Sequence, residues 1–136
     1  MSQENVELAY RVADAFSRRD VDALDAFLAL CDPDIEFHSR LAELEGGRPY
    51  HGHEGVRSWW ESVFALFADF STEIEDVRDG EDSTVSQIRQ RGHGVASDAP
   101  IDQRQWIVAK WRDKKVVWLR IYLSEAEALE AAGLRE

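Results

Sequence analysis

A pair of alternating strands in residues 101–123 constrains the fold of this chain more than any other feature. In the second strand an apolar residue occupies every other position, as expected for a strand with one buried face. The two alternating sets are Val117, Leu119, Ile121 and Leu123 on one side and Trp118, Arg120 and Tyr122 on the other. A three-residue turn at 112–114 would place Ile107 opposite Leu119 and join the apolar positions of both strands. The pattern therefore predicts one buried face and a reverse face that carries Trp106, Trp118, Arg120 and Tyr122.

The chain is strongly acidic, with a formal net charge of −11 over 136 residues. Phosphate binding depends on clustered Lys and Arg, so this charge argues against nucleic acid as a partner. It also disfavours anionic membrane surfaces. The length suffices for one domain with a substantial core. The acidity itself indicates solubility and names no partner.

The single cysteine, Cys31, excludes an internal disulfide and fits a reducing compartment. It lies on the apolar stripe of the second predicted helix, so we expect a buried structural thiol. The acidic N-terminus lacks the apolar segment of a signal peptide. No apolar run approaches the roughly 20 residues that span a bilayer. We therefore expect a cytoplasmic protein.

Hydrophobic periodicity and turn residues predict the element order α-α-β-α-β-β-β-β-α. Helical spacing is clearest after Glu54, where apolar residues recur at i, i+3, i+4 and i+7. The predicted helices cover 3–18, 21–31, 54–67 and 124–133, and the predicted strands cover 34–39, 71–77, 84–93 and the two halves of 101–123. Asp20 is expected to cap the second helix, and Ser124 and Gly133 are expected to cap the two ends of the last one. The glycine-rich residues 40–52 are expected to form a loop over a cavity mouth. This order predicts an α+β fold with helices against one face of a bent sheet.

Strand 84–93 has poorly separated parities, so the face that it turns to the core stays open. One set is Val85, Gln87, Arg89, Arg91 and His93, and the other is Thr84, Ser86, Ile88 and Gln90. The first set contains a ladder of cationic side chains in an acidic protein. This ladder is either a subsite for a carboxylate, enolate or phenolate group of a ligand, or a set of ion pairs with acidic residues such as Glu73 and Glu75.

Four segments carry a family resemblance that spans nearly the whole chain. They are FSRRDVDAL at 16–24, DPDIEFH at 32–38, YHGHEGVRSW at 50–59 and RQRGHG at 89–94. Together with the element order, they resemble the SnoaL-like polyketide cyclase group of the nuclear transport factor 2-like (ketosteroid isomerase-like) superfamily. The resemblance implies a single domain over 1–136, with a curved mixed or antiparallel sheet wrapped around helices and a cone-shaped pocket. Members of this superfamily differ widely in reaction, so the fold alone does not name the chemistry.

The ketosteroid isomerase branch uses an oxyanion-hole tyrosine and two carboxyl groups. Aligned on the shared segments, the tyrosine position falls at Val12, the general-base position at Ser39 and the second acid position at Ile107. None of these residues can perform the role, so isomerase chemistry of that type is not expected. A slip of one residue would bring His38 or Trp106 to these positions.

The pocket that the resemblance implies has several candidate residues, although no catalytic residue is assigned. The candidates are Ser39, Tyr50, Trp60, Arg89, Arg91, His93, Gln105, Ile107 and Leu119. Gln105 shares the parity of Ile107 and would be a polar group that orients a ligand in an apolar cone. Trp59 and Trp60 are most simply core residues. The parity of His38 places it outward, on the surface or the rim.

Cofactors and metals have no support in the sequence. His51 and His53 form a His-x-His pair, but no further ligand at a suitable spacing completes a metal site. Nucleotide-binding and covalent acyl-transfer motifs are absent. The aromatic reverse face, with Trp106, Trp118, Arg120 and Tyr122, predicts a sheet-to-sheet homodimer.

Two functions stay open at this point. The first is a pocket protein for a small apolar or aromatic ligand, which as an enzyme would be a cofactor-free cyclase or isomerase that acts on a hydrophobic carbonyl compound. The second is a non-catalytic ligand-binding or dimeric interaction module, with the pocket filled by its own tryptophans. The amount of free space in the cone distinguishes these two functions.

Overall fold

A computed structural model describes residues 2–18, 21–39, 48–80 and 82–134. The helices are α1 (Ser2–Arg18), α2 (Val21–Ala29), α3 (Gly52–Leu66) and α4 (Glu125–Ala132). The strands are β1 (Cys31–His38), β2 (Tyr50–His51), β3 (Phe67–Asp79), β4 (Ser83–Gly94), β5 (Pro100–Arg112) and β6 (Lys115–Tyr122). The predicted order of elements is confirmed, with β2 as an additional short strand.

The strands form one six-stranded sheet in the order β2-β1-β6-β5-β4-β3. Only β1 and β6 run parallel, and the other neighbouring pairs are antiparallel. The parallel contact places β1, the first strand of the chain, beside β6, the last one. The sheet is therefore mixed, as predicted.

Helices α1, α2 and α3 pack on one face of the sheet, which we call the inner face. On β4 this face carries Ile88, and on β5 it carries Ile107; both belong to the main core with side chains of all three helices. Helix α4 packs on the opposite, reverse face, where Ala128 and Leu129 contact Val85 and Val108. The sheet thus has a large core on one side and a small one on the other.

The terminal strand pair has a different register from the predicted one. The turn contains two residues, Asp113 and Lys114, both with positive φ (52° and 66°), and Arg112 pairs with Lys115. Such a two-residue turn matches the twist of a hairpin better than the predicted longer one. Together with a register shift between Lys110 and Trp111, this turn places Ile107 opposite Ile121 and Leu119 opposite Ala109.

A register shift next to Trp111 changes the predicted parity at one end of β6. Val116 is fully buried in the main core, whereas Val117 is only half-buried. A bulge of this kind places two residues opposite one and turns the following side chains over. From Trp118 to Tyr122 the predicted parity is confirmed, because Leu119 and Ile121 belong to the main core. The prediction is wrong for Leu123, which follows the strand and has 41% of its surface exposed.

The boundaries between elements also differ from the prediction at two positions. Cys31 begins β1 and does not end α2, because it pairs with Val116 of β6. Phe67 begins β3 and pairs with Gly94, although its spacing continues the apolar stripe of α3. Strand pairing overrides helical spacing at both positions, which local pattern cannot reveal.

The predicted caps of α4 are confirmed. The backbone N–H of Glu127 donates to Oγ of Ser124, and Gly133 ends the helix with φ of 75°. Left-handed backbone of this kind favours glycine at the position that follows a helix. Most of the predicted loop 40–52 lies outside the described residues, as does the predicted cap Asp20.

Candidate ligand site on the inner face of the sheet

The orientation of β4 settles which of its side chains face the helices. Thr84, Ser86, Ile88 and Gln90 point to the inner face. Val85 points the other way, into the small core beneath α4. Arg89, Arg91 and His93 share the parity of Val85 and lie on the reverse face. The open question of the strand's orientation is thereby answered.

A cavity lies between α1 and the inner face of the sheet. Its lining is largely apolar, and on the α1 side it consists of small residues. The lining residues are Ala9, Val12, Ala13, Ile74, Thr84, Ser86, Ile88, Ile107, Ala109, Trp111 and Leu119. The space open to the centre of a water molecule is about 10 Å³, which is room for about one water. The cavity is therefore nearly filled by its own walls.

The positions that correspond to ketosteroid isomerase chemistry lie at or near this cavity. Val12 and Ile107 line it, and Ser39 is buried with 2% of its surface exposed. In the described part of the chain, the buried residues include no Asp, Glu, His, Lys or Arg. The described inner face therefore has hydroxyl and amide groups but no side chain that titrates near neutral pH.

Hydroxyl groups mark one end of the cavity. The indole Nε1 of Trp111 donates a hydrogen bond of 3.0 Å to Oγ1 of Thr84, and both residues are buried. Ser86 lies two residues further along the same face of β4. Thr84 thus fixes the Trp111 ring, which forms part of the cavity wall.

Side-chain amides mark the other end. Thr72, Gln90 and Gln105 are buried, with 7–8% of their surfaces exposed. Oγ1 of Thr72 donates to Oε1 of Gln90, and Nε2 of Gln105 donates to Oε1 of Gln103 at 2.8 Å. Gln90 pairs with Thr72 on β3 and with Gln103 on β5. These four residues, Thr72, Gln90, Gln103 and Gln105, form what we call the amide row.

The tryptophans of α3 belong to the core, as expected. Trp59 and Trp60 are buried and contact the ring of Phe16, with centroid distances of 5.4 and 6.3 Å. Tyr50, half-buried on β2, packs edge-on against Phe37 at 6.3 Å. Trp60 is thus part of an aromatic cluster, whereas the cavity wall contains Trp111.

The cationic ladder on β4 is engaged in ion pairs on the reverse face. Arg89 donates to both carboxylate oxygens of Asp102 at 2.7 and 3.2 Å, and Arg91 lies 3.6 Å from the same carboxylate. Nδ1 of His93 lies 3.0 Å from Asp69. The partners come from β3 and β5, as the pairing hypothesis requires, but they are not the expected Glu73 and Glu75.

Glu75 instead pairs with an arginine on β5. Arg104 donates to both of its carboxylate oxygens at 2.7 and 3.2 Å, and Gln87 donates to it at 3.2 Å. The hydrogen bonds from Arg104 and Gln87 lower the pKa of Glu75 to about 2. The hydrogen bond from Arg89 likewise lowers the pKa of Asp102. The reverse face of β3–β5 therefore carries a network of paired charges.

A second polar cluster lies on the reverse face of β1 and β6. Nε2 of His38 lies 2.5 Å from Oε2 of Glu36, and Nε1 of Trp118 donates to the same oxygen at 3.2 Å. The contact with His38 is the main reason why the pKa of Glu36 lies below its ordinary value. His38 points outward, as predicted. The parallel pairing of β1 with β6, which aligns Glu36 with Trp118, creates this cluster and leaves no sequence signal.

The four residues of the predicted dimer face are all half-buried. Trp106, Trp118 and Tyr122 pack against the small core beneath α4, so α4 covers part of this surface. Lys110 lies 4.6 Å from the centroid of the Trp118 ring, and Arg120 lies 5.2 Å from that of Tyr122. Two of the aromatic rings on this face, Trp118 and Tyr122, therefore each have a cationic side chain next to them.

Other candidate groups have structural roles. Nε2 of His53 lies 3.0 Å from the backbone carbonyl of Cys31. Burial raises the pKa of the Cys31 thiol to about 12, as expected for a structural cysteine. Among the described residues, no three His, Cys, Asp or Glu side chains are arranged to hold a metal ion. None of the described helices is long and apolar enough to cross a membrane.

Comparison with known proteins identifies the family. A model of the SnoaL-like domain matches residues 9–119. The chain belongs to the SnoaL-like domain family. None of the curated proteins matches it significantly in sequence.

Solved structures share the fold at low sequence identity. A protein of Catenulispora acidiphila with a ketosteroid isomerase-like fold, in complex with trimethylamine, is 17% identical with a TM-score of 0.74, over 95% of this chain and 94% of that one. An NTF2-like protein of Burkholderia pseudomallei is 19% identical with a TM-score of 0.78, over 93% and 95%. TerC, co-crystallised with polyporic acid, is 16% identical with a TM-score of 0.76, over 96% and 98%. These similarities confirm the NTF2-like fold.

Proposed function

We propose that the protein binds a small, uncharged and largely apolar molecule against the inner face of its sheet. One observation supports this function above all. The wall formed by α1 and the sheet changes along β4 and β5 from apolar residues to neutral amides, and the buried part of the described chain includes no charged side chain. Ligand sites usually combine an apolar lining with a few polar groups that fix orientation.

The comparisons support the class of ligand. TerC, a structural neighbour of this chain, was co-crystallised with polyporic acid. An aromatic carbonyl compound suits the inner face of this chain, since rings would contact Ile74, Ile88 and Ile107 while polar groups would meet the amides. Acid–base chemistry has less support, because the buried residues of the described chain include no carboxylate or imidazole.

The small free space sets a requirement for binding. A ligand with a ring is larger than the single water that the cavity admits. The ligand therefore enters only if α1 moves away from the sheet or the side chains repack. The small residues Ala9, Val12 and Ala13 on α1 make this side of the cavity the easier one to open.

A pair of matched variants tests the proposal with acetophenone as the probe. Ala13→Leu adds bulk at the cavity wall, and Ala65→Leu makes the same change at an exposed position of α3. We expect calorimetry to show saturable binding to the unaltered protein, unchanged binding to Ala65→Leu, and at least a tenfold loss in Ala13→Leu, because the added methyl groups occupy the ligand's place. Native mass spectrometry of the protein from its own host provides a second readout, a retained small molecule. Equal binding to both variants contradicts the proposed site.

A sheet-to-sheet homodimer is the second candidate function, and the nearly filled cavity favours it. Its face would consist of Trp106, Trp118, Arg120 and Tyr122. Sedimentation velocity tests it with Arg120→Glu against Arg91→Glu, an equal charge change elsewhere on the reverse face. We expect a dimer for the unaltered protein and for Arg91→Glu, and a monomer for Arg120→Glu. A monomeric unaltered protein contradicts this candidate.

A further inference from the structure

The amide row is continuous with the apolar cavity. Ile88 lines the cavity and pairs with Ile74 on one side and with Gln105 on the other. Gln90 follows on the same face of β4 and pairs with Gln103. Gln90 and Gln105 are therefore diagonal neighbours, which lie roughly 7–8 Å apart in antiparallel sheets. One small molecule that lies against Ile88 can contact both amides.

Within the described chain, each of these two amides makes one of the four hydrogen bonds that a glutamine side chain can make. Gln90 accepts from Thr72 through Oε1, which leaves its NH₂ group as a donor. Gln105 donates to Gln103 through Nε2, which leaves its Oε1 as an acceptor. Both residues are more than nine-tenths buried and lie on the same face of the sheet as Ile88 and Ile107. Buried polar groups usually have partners, and each of these amides has capacity for further hydrogen bonds.

We propose that the amide row is a subsite for a neutral hydroxy-carbonyl group. The ligand's carbonyl accepts from the NH₂ of Gln90, and its hydroxyl donates to Oε1 of Gln105. This inference rests on the proposed function, because the apolar part of the same ligand occupies the cavity beside Ile88. The donor on one strand and the acceptor on the next match a ligand that presents the complementary pair.

The subsite discriminates against charge. The buried residues of the described inner face include no Lys, Arg or His. Among the arginines of the neighbouring strands, Arg89 and Arg104 lie on the reverse face and are paired with Asp102 and Glu75. A carboxylate in the amide row would lose its hydration without gaining a counter-charge. The subsite should therefore take a hydroxyketone and reject the corresponding acid.

A series of phenyl compounds tests the inference. Ethylbenzene has only the apolar part, acetophenone adds an acceptor, and phenacyl alcohol adds a hydroxyl beside the carbonyl. Mandelate carries the same ring with a charged group. We expect calorimetric affinity to rise from ethylbenzene through acetophenone to phenacyl alcohol, by about tenfold per added hydrogen bond, and to be lowest for mandelate.

Two glutamine variants of β4 and β5 assign the effect to the amide row. Gln105→Leu should remove the roughly tenfold advantage of phenacyl alcohol over acetophenone and leave ethylbenzene binding intact. Gln87→Leu is the matched control, since Gln87 lies on the reverse face of the same sheet and donates to Glu75. It should leave the whole series unchanged. Because ethylbenzene reports on the cavity alone, a general loss of folding in Gln105→Leu would appear as loss of all binding.

The outcomes separate the subsite from the proposed function. If ethylbenzene binds and phenacyl alcohol binds no better than acetophenone, the subsite is wrong while the apolar site stands. If mandelate binds most tightly, a charged subsite replaces the neutral one. If no member of the series binds, both the subsite and the proposed function fail. Should Gln105→Leu abolish ethylbenzene binding as well, Gln90→Leu tests the amide row from the neighbouring strand, where it should remove the roughly tenfold advantage of acetophenone over ethylbenzene.

Discussion

The two faces of the sheet differ in the polar side chains that they carry and in the partners of those side chains. The inner face carries hydroxyls and amides whose partners are other neutral groups, as in the bond from Trp111 to Thr84. The reverse face carries full charges, and several of those on β3–β5 are paired across strands, as Arg89 is with Asp102. Alternation along one strand separates these two surfaces, because Arg89 and Gln90 are consecutive residues.

This difference shows where charge is tolerated in the molecule. Exposed ion pairs keep much of their hydration and contribute little to stability. A buried charge would need a partner and excellent geometry, and the inner face provides neither. The buried part of the described inner face therefore carries only uncharged side chains. The cationic ladder of Arg89, Arg91 and His93, which suggested a ligand subsite, lies on the reverse face. The comparison can be tested by changing one face at a time.

The largest effect should come from removing a core side chain of the inner face. Leu119 is fully buried and lines the cavity, so Leu119→Ala enlarges an existing void. We expect a loss of about 2–5 kcal/mol in the free energy of unfolding, measured by urea denaturation. Leu123→Ala is the control, since 41% of the Leu123 surface is exposed, and it should cost much less. Equal losses would show that the inner face is not the main core.

The next effect concerns the rate at which an alkylating reagent labels the thiol of Cys31. Its pKa is raised from 9.0 to about 12 by burial, which lowers the thiolate fraction roughly a thousandfold below pH 9. An alkylating reagent at pH 8 should therefore label the folded protein at least about a thousandfold more slowly than the urea-unfolded protein. Rapid labelling of the folded protein would mean that water reaches this part of the core.

The Trp111–Thr84 hydrogen bond should contribute less. Thr84→Val keeps the shape of the side chain and leaves the buried indole N–H without its acceptor, at a cost of about 1–3 kcal/mol. Urea denaturation measures this loss. In a Trp111→Phe background the same substitution should cost clearly less, because no donor is left unpaired. If the cost is the same in both backgrounds, the hydrogen bond is not its cause.

The smallest effect is expected on the reverse face. Glu75 has its pKa lowered from 4.5 to about 2, so its charge stabilises the folded state above pH 4.5, and this contribution is lost as the pH falls toward 2. Glu75→Gln should lower the urea midpoint slightly at pH 7 and have no effect near pH 2. Raising the salt concentration to 1 M should reduce the difference at pH 7. A difference that persists at low pH would exclude the ion pair with Arg104 as its source.

The sequence predicted the order of elements and both faces of the terminal strands, because alternation is a local signal. It did not predict that Cys31 begins a strand, since the pairing of Cys31 with Val116 joins residues far apart in the chain. The turn at Asp113 and Lys114 was predicted one residue too long, and the bulge beside Trp111 was missed. Register depends on turn type and tertiary packing, which alternation does not encode.

Some residues of the ligand site that we propose on the inner face were predicted from the sequence. Gln105, Ile107 and Leu119 lie on the inner face, as their parity indicated. The amides of Gln90 and Thr72 were missed because both parities of β4 contain polar residues. The pairing of Ile88 with Ile74 reveals which of the two sets of β4 side chains faces the main core. The role of Trp111 in the cavity wall was also missed, since its burial alone indicates core.

The central claim, that a ligand occupies the inner face and not the reverse face, can be tested with one measurement. NMR of protein labelled with ¹⁵N in its tryptophans gives one indole N–H signal for each ring, and the rings report on different surfaces. In a titration with acetophenone, we expect the Trp111 signal to shift saturably, because Trp111 lines the cavity and its N–H is bonded to Thr84. The signals of Trp106 and Trp118 should stay in place. A saturable shift at Trp106 or Trp118 with none at Trp111 would contradict the account.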